Sequence, residues 1–449
     1  MSRPLHVVIL AAGAGTRMGS NKLKVLHQVA GLPMVEHVLR LAQSLNPAQI
    51  TLVYGHKGEQ LIQQYQDAAV NWAEQKQQLG TGHAVQQAVE YINDDEDVLV
   101  LYGDAPLVQT QDLMHLSEQQ FVLTAKLEEP TGYGRIIRQG DYIQSIVEQK
   151  DASAEQLSIQ EINSGIIQAP AKKLKQWLSQ LSNNNQQQEY YLTDVIGLAA
   201  VDGLPFKAVE LRDANTVKGA NDMVQLAQLE HLMQQRRRKI LMQQGVNLIC
   251  PETIDIRGDL HCGQDVVVDK GVIFEGGNEL GNDVHIGAYS IIKNCQLASG
   301  TVVEPHSMLD KVTTTGACSI GPFARLRPGT ELSEGCKVGN FVEIKKSKLG
   351  SHSKASHLSY LGDAVIGKEV NIGAGTITCN YDGVNKFTTT IKDGAFIGSD
   401  SQLVAPVTIG AHATIGAGST ITKDTPDNQL TLSRVKQRSV EDWQKPEKK

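Results

Sequence analysis

The sequence lacks the features that direct a chain to nucleic acid or to a membrane. Its 449 residues carry a formal net charge of −7, so no general excess of positive charge would attract nucleic acid or an anionic lipid surface. The first apolar run, Val7 to Ala12, is too short for the hydrophobic core of a signal peptide, and no stretch approaches the length of a transmembrane helix. We therefore expect a cytoplasmic protein with no nucleic-acid or membrane partner.

Cysteine is scarce and is confined to the second half of the chain. The spacings are irregular, with no C-x-x-C pair and no histidines clustered at metal-ligand distances. This pattern favours reduced cysteines that fill small interior or turn positions over a disulfide framework or a zinc site. The six residues are Cys250, Cys262, Cys295, Cys318, Cys336 and Cys379.

What the second half has instead is an aliphatic or aromatic side chain at every sixth position. Neither an α-helix nor a hairpin sheet produces this period, whereas a coil of short parallel strands needs one inward side chain on each side of a triangular turn. The sequence therefore predicts a parallel β-coil. The three unbroken stretches are Val268, Phe274, Leu280, Ile286 and Ile292; Ile320, Leu326, Leu332, Val338 and Ile344; and Ile397, Leu403, Ile409, Ile415 and Ile421. The period breaks between Thr378 and Lys392, where we expect a polar loop that leaves a corner of the coil and carries binding residues.

The first half alternates apolar runs with helical patterns, which indicates a mostly parallel sheet covered on both faces, with ligands beyond the carboxyl ends of its strands. Predicted strands lie at 5–10, 50–54, 98–102, 121–127 and 206–211, and predicted helices near 34–45, 57–67, 81–93 and 109–119. A long polar helix follows as a connector, and its run Arg236–Lys239 most simply indicates a solvated face. The predicted domains are therefore 1–220, a linker helix at 221–245, and 246–449.

A glycine-rich loop, L-A-A-G-A-G-T-R-M-G at 10–19, directly follows the first predicted strand. Its small side chains let backbone N–H groups approach a phosphate, and Arg17 adds a fixed positive charge. The loop is not a Walker A motif, and Met18 replaces the third glycine of the dinucleotide fingerprint. It predicts a phosphate-binding turn, with a tight turn that binds no ligand as the alternative.

Asp104 places a carboxylate just beyond the strand predicted at 98–102. A hard oxygen ligand at this edge suits Mg²⁺, which typically takes one or two protein ligands besides substrate phosphates. The alternative is an edge carboxylate with no metal.

These motifs carry a family resemblance. The loop, with Lys24-Val25-Leu26 after it, is similar to the signature of the sugar-nucleotide pyrophosphorylases, and further matches lie at 78–84, 102–104 and 131–135. With the six-residue repeats, the chain to about Arg434 resembles the bacterial bifunctional family that joins such a uridylyltransferase domain to a hexapeptide-repeat acetyltransferase domain. Ala14 and Leu23 depart from that pattern, which usually has Lys and Pro there.

The resemblance implies a Rossmann-like nucleotidyltransferase domain with a mixed, mostly parallel sheet, followed by a left-handed parallel β-helix. It implies acetyl transfer from acetyl-CoA to glucosamine-1-phosphate, then Mg²⁺-dependent uridylyl transfer from UTP to N-acetylglucosamine-1-phosphate with release of pyrophosphate. The product, UDP-N-acetylglucosamine, would feed peptidoglycan and lipopolysaccharide synthesis. Family members are homotrimers whose acetyltransferase sites form between chains.

For the first site, the resemblance implies Arg17 and Lys24 as catalytic residues, with Lys22 as a minor rival to Lys24. It also adds Asn221 to Asp104 as a metal ligand, a choice over Asp222 that the residues alone do not make. Gln75, Gly80 and Thr81 would read the uracil, while Gly134, Glu148, Asn163 and Asn221 would hold the sugar. The full set of implied UDP-sugar contacts is Leu10, Ala11, Ala12, Gly13, Lys24, Gln75, Gly80, Thr81, Tyr102, Gly103, Asp104, Gly134, Glu148, Asn163 and Asn221.

For the second site, acetyl transfer needs a neutral amine, so a histidine with a pKa near 6.5 is a suitable general base. His352 and His357 both qualify, and the surrounding S-H-L-S-Y-L-G-D run resembles the family's catalytic turn at His357. The implied glucosamine-phosphate contacts are Arg327, Lys345, Tyr360, Asn371 and Lys386. The implied acetyl-CoA contacts are Ala374, Asn380, Tyr381, Ser399, Ala417 and Arg434.

Two alternatives remain at this point. One is a pyrophosphorylase with a single activity, whose β-coil serves only as an oligomerising or regulatory scaffold. The other is a nucleotide-sugar sensor that binds without turnover. A nicotinamide dehydrogenase is a distant third, which Met18 speaks against.

Overall fold

The structure of the chain is a computed structural model that describes residues 3–13, 15–113 and 120–448. It forms two compact units, Met1–Met233 and Gln234–Lys449. The division falls within one helix, Met223–Gln243, whose first half packs Leu229 and Met233 into the first unit and whose second half packs Leu241 into the core of the second. The predicted bounds of the domains and linker stay a prediction.

The first unit contains strands and helices at the predicted runs, together with others that the sequence analysis did not predict. Its described strands are β1 Leu5–Ala11, β2 Gln28–Val29, β3 Leu32–Pro33, β4 Gln49–Tyr54, β5 Asn71–Glu74, β6 Asp97–Tyr102, β7 Phe121–Lys126, β8 Arg135–Gln139, β9 Tyr142–Val147, β10 Glu161–Pro170 and β11 Phe206–Glu210. Its described α-helices are α1 Met34–Ser44, α2 Glu59–Gln64, α3 Thr81–Ala88, α4 Ala154–Leu157, α5 Ala171–Leu178, α6 Asp194–Val201 and α7 Met223–Gln243, the last shared with the second unit. Its 3₁₀ helices are Thr16–Met18, Lys24–Leu26, Val89–Tyr91, Thr110–Leu113 and Ala214–Val217.

Nine of these described strands form one mixed sheet in the order β5-β4-β1-β6-β10-β7-β11-β9-β8. The strands β5, β4, β1 and β6 are parallel, β10 runs antiparallel to both β6 and β7, and β8 and β9 form an antiparallel hairpin. The central strand β1 is buried from His6 to Ala11, which is expected when helices cover both faces of a sheet. The predicted mixed sheet is confirmed, and four of the eight neighbouring pairs among its described strands are parallel.

One predicted helix is shorter than expected, and another can be compared with the structure only in part. The helix near 57–67 is limited to α2 because Tyr65 leaves the helical region with φ −120°. Of the helix predicted near 109–119, the described part is the 3₁₀ turn Thr110–Leu113, and residues 114–119 lie outside the described residues.

The second unit is a parallel β-helix whose strands form three faces, preceded by the 3₁₀ turn Pro251–Thr253. Face A contains Asn247–Leu248, Val267–Val268, His285–Ile286, Val302–Val303, Ser319–Ile320, Lys337–Asn340, Lys354–His357, Asn371–Ile372, Phe396–Ile397, Thr414–Ile415 and Leu430–Thr431. Face B contains Asp255–Arg257, Ile273–Glu275, Ile291–Lys293, Met308–Asp310, Arg325–Leu326, Glu343–Lys345, Tyr360–Gly362, Ile377–Cys379, Gln402–Val404 and Thr420–Ile421. Face C contains Leu260–Cys262, Asn278–Leu280, Gln296–Leu297, Val312–Thr314, Thr330–Leu332, Lys348–Leu349, Ala364–Ile366, Thr389–Ile391 and Val407–Ile409.

The six-residue period fills the interior of this coil. Ile320 pairs with Val338 on the next turn of face A, and all fifteen residues of the three predicted stretches are buried in one core. Each buried aliphatic side chain of this size contributes about 1.5–3 kcal/mol, so the repeat itself supplies the stability. The predicted β-coil is confirmed.

Glycines that follow the inward residue lie where successive turns approach most closely. A β-carbon on Gly287 would lie 2.6 Å from the nitrogen of Pro305 on the next turn. Such a separation is shorter than real contacts, so a side chain there would push the turns apart.

The polar excursion leaves the coil as predicted. Between Ile377–Cys379 and Thr389–Ile391 the chain folds back on itself through an antiparallel bridge from Tyr381 to Lys386. The side chain of Asp382 closes the tip by accepting N–H groups of Val384 and Asn385 at 2.8 and 2.6 Å.

The interpretation of Arg236–Lys239 as a solvated face is wrong for two of its residues. Arg238 is buried and donates from Nη1 to the carbonyls of Glu252 and Ile254, each at 3.1 Å. Arg237 donates from Nη1 to the carbonyl of Ile256 at 3.2 Å. Because the first turn of a β-helix has no preceding turn to pair with, these guanidinium groups satisfy carbonyl groups near its start.

Candidate functional site

A cleft of about 370 Å³ opens in the first unit, at the carboxyl ends of β1 and β6. This is the edge of the sheet where the sequence predicts ligand binding. Its lining includes Leu10, Ala11, Ala12, Gly13, Lys24, Val25, Gln75, Gln78, Gly80, Thr81, Ala84, Tyr102, Asp104, Glu189 and Asn221. Most of the residues implied for UDP-sugar binding thus come together in one place.

Lys24 joins the two residues implied as metal ligands. Its Nζ lies 2.5 Å from Oδ2 of Asp104 and donates to Oδ1 of Asn221 at 2.8 Å. Asp222, the sequence alternative, accepts the backbone N–H of Gln225 at 2.8 Å in the first turn of α7. The side chain of Asp222 is thus engaged at the start of α7, and Asn221 is the residue that lines the cleft.

A carboxylate and an amide oxygen that converge on one cation are ligands that Mg²⁺ accepts. Among the described residues no group of three or more His, Cys, Asp and Glu side chains could hold a metal.

The glycine loop packs against Lys24. Gly15 has φ +59°, and a β-carbon there would lie 2.7 Å from the β-carbon of Lys24, so both the backbone conformation and the close approach require glycine. Arg17 is exposed and lies outside the residues that line the cleft, as does the exposed Lys22. Ala14 lies outside the described residues.

Leu23 stands where the family pattern usually has proline, and the local structure accommodates it. Its φ of −58° is one that proline adopts, but its N–H donates to Oε1 of Gln60 at 3.1 Å. Leucine therefore keeps the local backbone shape and adds a hydrogen bond that proline could not make.

On one side of the cleft, Gln75 lies directly after β5 and is buried. Its Nε2 donates to the carbonyl of Gly80 at 3.0 Å and lies 3.0 Å from Nδ1 of His83. Thr81 accepts the N–H of Leu192 at 3.1 Å. The three residues implied for uracil binding are thus ordered by protein contacts.

The residues implied for sugar binding lie together on the antiparallel part of the sheet. The N–H of Asn163 donates to the carbonyl of Gly134 at 2.9 Å, and a β-carbon on Gly134 would lie 3.3 Å from Oε1 of Glu148. Burial raises the pKa of Glu148, although its carboxylate accepts a hydrogen bond from Thr193 at 3.1 Å. The register of β10 shifts after Asn163, which turns this segment out of the regular ladder.

Sequence reasoning missed several residues of the first site. Gln78 and Glu189 line the cleft. Tyr133 belongs to the 131–135 motif, and its pKa is raised by burial and by the negative charge of Asp104. Motif spacing could have suggested Gln78 and Tyr133, but nothing in the sequence singles out Glu189.

In the second unit, His357 ends a face A strand and pairs in register with Asn340 of the preceding turn. Its Nδ1 lies 2.9 Å from Oδ1 of Asn340. Because an amide oxygen only accepts, this contact places the proton on Nδ1 and leaves Nε2 as a base. His352 lies in the turn between two strands and makes no such contact within the described residues. Asn340 was missed by the sequence analysis.

Several implied acetyl-CoA positions continue the same column. His357, Ala374, Ser399 and Ala417 each lie two positions after a paired inward residue of face A on successive turns. Arg434 donates to the carbonyl of Ala417 at 2.7 Å. Asn380 and the exposed Tyr381 lie at the base of the excursion.

The implied glucosamine-phosphate contacts include a group of cations. Lys386, carried by the excursion, lies beside Lys345 and lowers its pKa, and the charge of Arg327 adds to the effect. Arg327 also donates to Oε1 of Glu343 at 2.8 Å, a partner that the sequence analysis missed. Tyr360 pairs with Glu343 in the face B ladder, and Asn371 pairs with Lys354 on face A. Converging cations that repel each other form a site suited to an anion.

Comparison with known proteins supports the two-part architecture. Residues 7–132 match the MobA-like NTP transferase domain, and residues 388–423 match the bacterial transferase hexapeptide of six repeats. The chain is also similar to a Bacillus anthracis protein assigned as a glucose-1-phosphate thymidylyltransferase, at 18% identity and a TM-score of 0.42 over 51% of this chain and 94% of that one. A UDP-glucose pyrophosphorylase complexed with UDP-glucose gives 18% identity and 0.42 over 53% and 100% of the two chains, and its apo form gives 17% and 0.42 over the same shares.

The two family models thus assign a nucleotidyltransferase domain within residues 7–132 and transferase hexapeptide repeats within residues 388–423. Within the described residues, no helix is both long and apolar enough to span a bilayer.

Proposed function

We propose that the protein is a bifunctional enzyme that makes UDP-N-acetylglucosamine. The second unit would acetylate glucosamine-1-phosphate with acetyl-CoA, and the first would join the product to the uridylyl group of UTP and release pyrophosphate. The observation that carries the first activity is the convergence of Lys24, Asp104 and Asn221 in the cleft. The column that His357 shares with Ala374, Ser399 and Ala417 supports the second.

In the first reaction, an anionic sugar phosphate attacks the α-phosphorus of an anionic triphosphate, so the site must supply positive charge and positioning. The residues at Gly134, Glu148 and Asn163 would orient the sugar, and Gln75, Gly80 and Thr81 the uracil. Lys24 would contribute a fixed positive charge at the phosphates, with Arg17 at the edge of the loop. Asp104 and Asn221 would hold Mg²⁺, which when bound neutralises phosphate charge.

In the second reaction, Nε2 of His357 would remove a proton from the sugar nitrogen as that nitrogen attacks the thioester carbonyl. The CoA thiolate leaves and the acetyl group is transferred. Asn340 would hold the imidazole in the required tautomer. Arg327, Lys345 and Lys386 would bind the sugar phosphate, with Tyr360 and Asn371 completing the pocket, while Asn380, Tyr381 and Arg434 would contact acetyl-CoA. From the resemblance to the bifunctional family we further propose that the protein is a cytoplasmic homotrimer whose acetyltransferase sites lie between chains.

The test is a pair of assays on the purified protein with Mg²⁺. CoA release with glucosamine-1-phosphate measures acetyl transfer, and pyrophosphate release with UTP and N-acetylglucosamine-1-phosphate measures uridylyl transfer. We expect both activities. A chelator should stop pyrophosphate release and leave CoA release unchanged. Pyrophosphate release without CoA release would decide for a β-helix that is only a scaffold. Absence of both would decide against an enzyme of this kind.

A further inference from the structure

The 131–135 motif ends in an arginine that the proposed chemistry does not use. Arg135 begins β8 and is 2% exposed. Its Nη2 donates to Oε1 of Gln149 at 2.8 Å, its Nη1 donates to the carbonyl of Tyr133, and its Nε is buried without a partner. In the described residues it has no carboxylate partner. Because burying a guanidinium without a counter-charge is costly, Arg135 depends on these two hydrogen bonds.

The partner of Arg135 holds the other end of the same turn. Oε1 of Gln149 also accepts the N–H of Gly132 at 3.2 Å. One amide oxygen thus ties the first part of the turn, at Gly132, to the strand that follows it, at Arg135. Gly132 has φ +89°, a conformation in which the turn depends on such contacts to stay in place.

The turn held in this way carries Gly134, one of the residues that the proposed function assigns to the sugar. Gly134 packs against Glu148 and accepts the N–H of Asn163. Any movement of the turn would therefore shift the sugar side of the cleft, whereas Gln75, Gly80 and Thr81 lie on other elements.

We propose that Gln149 and Arg135 form a positioning pair that fixes the 131–134 turn for binding of the sugar phosphate. This inference rests on the proposed uridylyl transfer and adds two residues that contact no substrate themselves. It follows that loosening the pair should weaken binding of the sugar phosphate and leave binding of UTP unchanged.

The test compares two substitutions of Gln149, because a substitution of the buried Arg135 could prevent folding. Gln149→Leu keeps the size and removes the acceptor, while Gln149→Glu keeps an acceptor oxygen for both donors. We expect Gln149→Leu to raise KM for N-acetylglucosamine-1-phosphate about 10-fold, within the range seen when a supporting contact is lost, with KM for UTP unchanged. Gln149→Glu should stay near the unmutated value. Amide hydrogen exchange at Gly132 should accelerate only in the leucine variant.

The outcomes are distinguishable. If the unmutated enzyme is active and Gln149→Leu leaves KM for the sugar phosphate unchanged, or raises both KM values equally, the positioning role is overturned while the proposed function stands. If the unmutated enzyme has no uridylyl transfer, the proposed function and the positioning role fall together.

Discussion

The two units assemble their candidate sites from the sequence in opposite ways. In the first unit, Lys24 and Asn221 are 197 positions apart and yet share a hydrogen bond of 2.8 Å. In the second, Asn340 and His357 are neighbours because the coil returns to the same place on each turn. One site depends on the topology of a whole sheet, and the other depends on a local period.

This difference has a physical consequence for how each site tolerates change. The cleft of the first unit relies on a few charged and polar contacts, so removal of one group should abolish the reaction without unfolding the sheet. The candidate site of the second unit consists of residues on successive turns, so its geometry depends on the spacing between turns. A substitution far from His357 that alters this spacing should therefore displace residues of the site. The predictions below test that contrast, beginning with the largest effect.

The first prediction concerns Asp104→Ala. Loss of this carboxylate removes the implied metal ligand and leaves the Lys24 ammonium without its ion pair, so we expect uridylyl transfer to fall at least about 1000-fold, the upper range for loss of one electrostatic contact in an active site. Acetyl transfer should be unchanged, because Asp104 belongs to the other unit. The two assays of CoA and pyrophosphate release measure both values on the same preparation, and circular dichroism checks that the variant is folded.

Loss of both activities in folded Asp104→Ala would contradict the separation of the two sites. Lys22→Ala is a matched control, since Lys22 is exposed beside the same loop and should have little effect.

The second prediction is that His357→Ala lowers acetyl transfer about 100-fold or more, the usual range for loss of a general base, and spares uridylyl transfer. Asn340→Ala should give a smaller loss, since it frees the imidazole to adopt the wrong tautomer but leaves the base in place. The measurement is kcat for CoA release as a function of pH. His352→Ala serves as the control, and an equal loss in that variant would mean that the base has been misassigned.

The third prediction tests whether the spacing of turns governs the second unit. Gly287→Ala should lower its stability by about 1–3 kcal/mol, the usual cost of overpacking, because the new β-carbon would lie 2.6 Å from the nitrogen of Pro305. Gly277→Ala is the control, since no atom lies within 4 Å of its β-carbon position. Thermal unfolding followed by circular dichroism measures the difference. Equal stability of the two variants would show that neighbouring turns can separate at little cost.

The same contrast explains how much of the molecule could be predicted from the sequence. The β-helix was predictable over three stretches because a period of six identifies inward residues there, such as Ile320 or Leu326, without knowledge of distant contacts. In the first unit β1, β4, β6, β7 and β11 were predictable as apolar runs, whereas the parallel edge strand β5 was not predicted. The antiparallel course of β10 between β6 and β7 was not predicted, because strand direction follows from tertiary pairing.

The candidate sites divide in a similar way. Asp104 was predictable because a carboxylate follows an apolar strand, whereas the choice of Asn221 over Asp222 needed the resemblance or the start of α7. Glu189 and Arg238 were missed because their contacts join segments that no local pattern connects.

The last and smallest effect is a difference in acid sensitivity between the units. His6 in β1 is buried, with Nδ1 3.1 Å from Oε2 of Glu96 and Nε2 2.8 Å from Oγ1 of Thr51. Burial lowers the pKa of His6 below 6.5, against the opposing hydrogen bond and charge of Glu96. All described histidines of the second unit are exposed.

Since the folded pKa is the lower one, the unfolded chain takes up the proton first as the pH falls. The contribution of His6 is therefore complete above about pH 6.5 and declines below it until the folded group is itself protonated. We expect the first unit to lose stability between pH 7 and pH 5, measured by urea unfolding at each pH. His6→Gln should have a weaker dependence on pH over this range, whereas the exposed His56→Gln should retain it. If the free energy of unfolding of His6→Gln depends on pH as steeply as that of the unmutated protein, other groups cause the acid sensitivity. The buried histidine would then not explain the difference between the units.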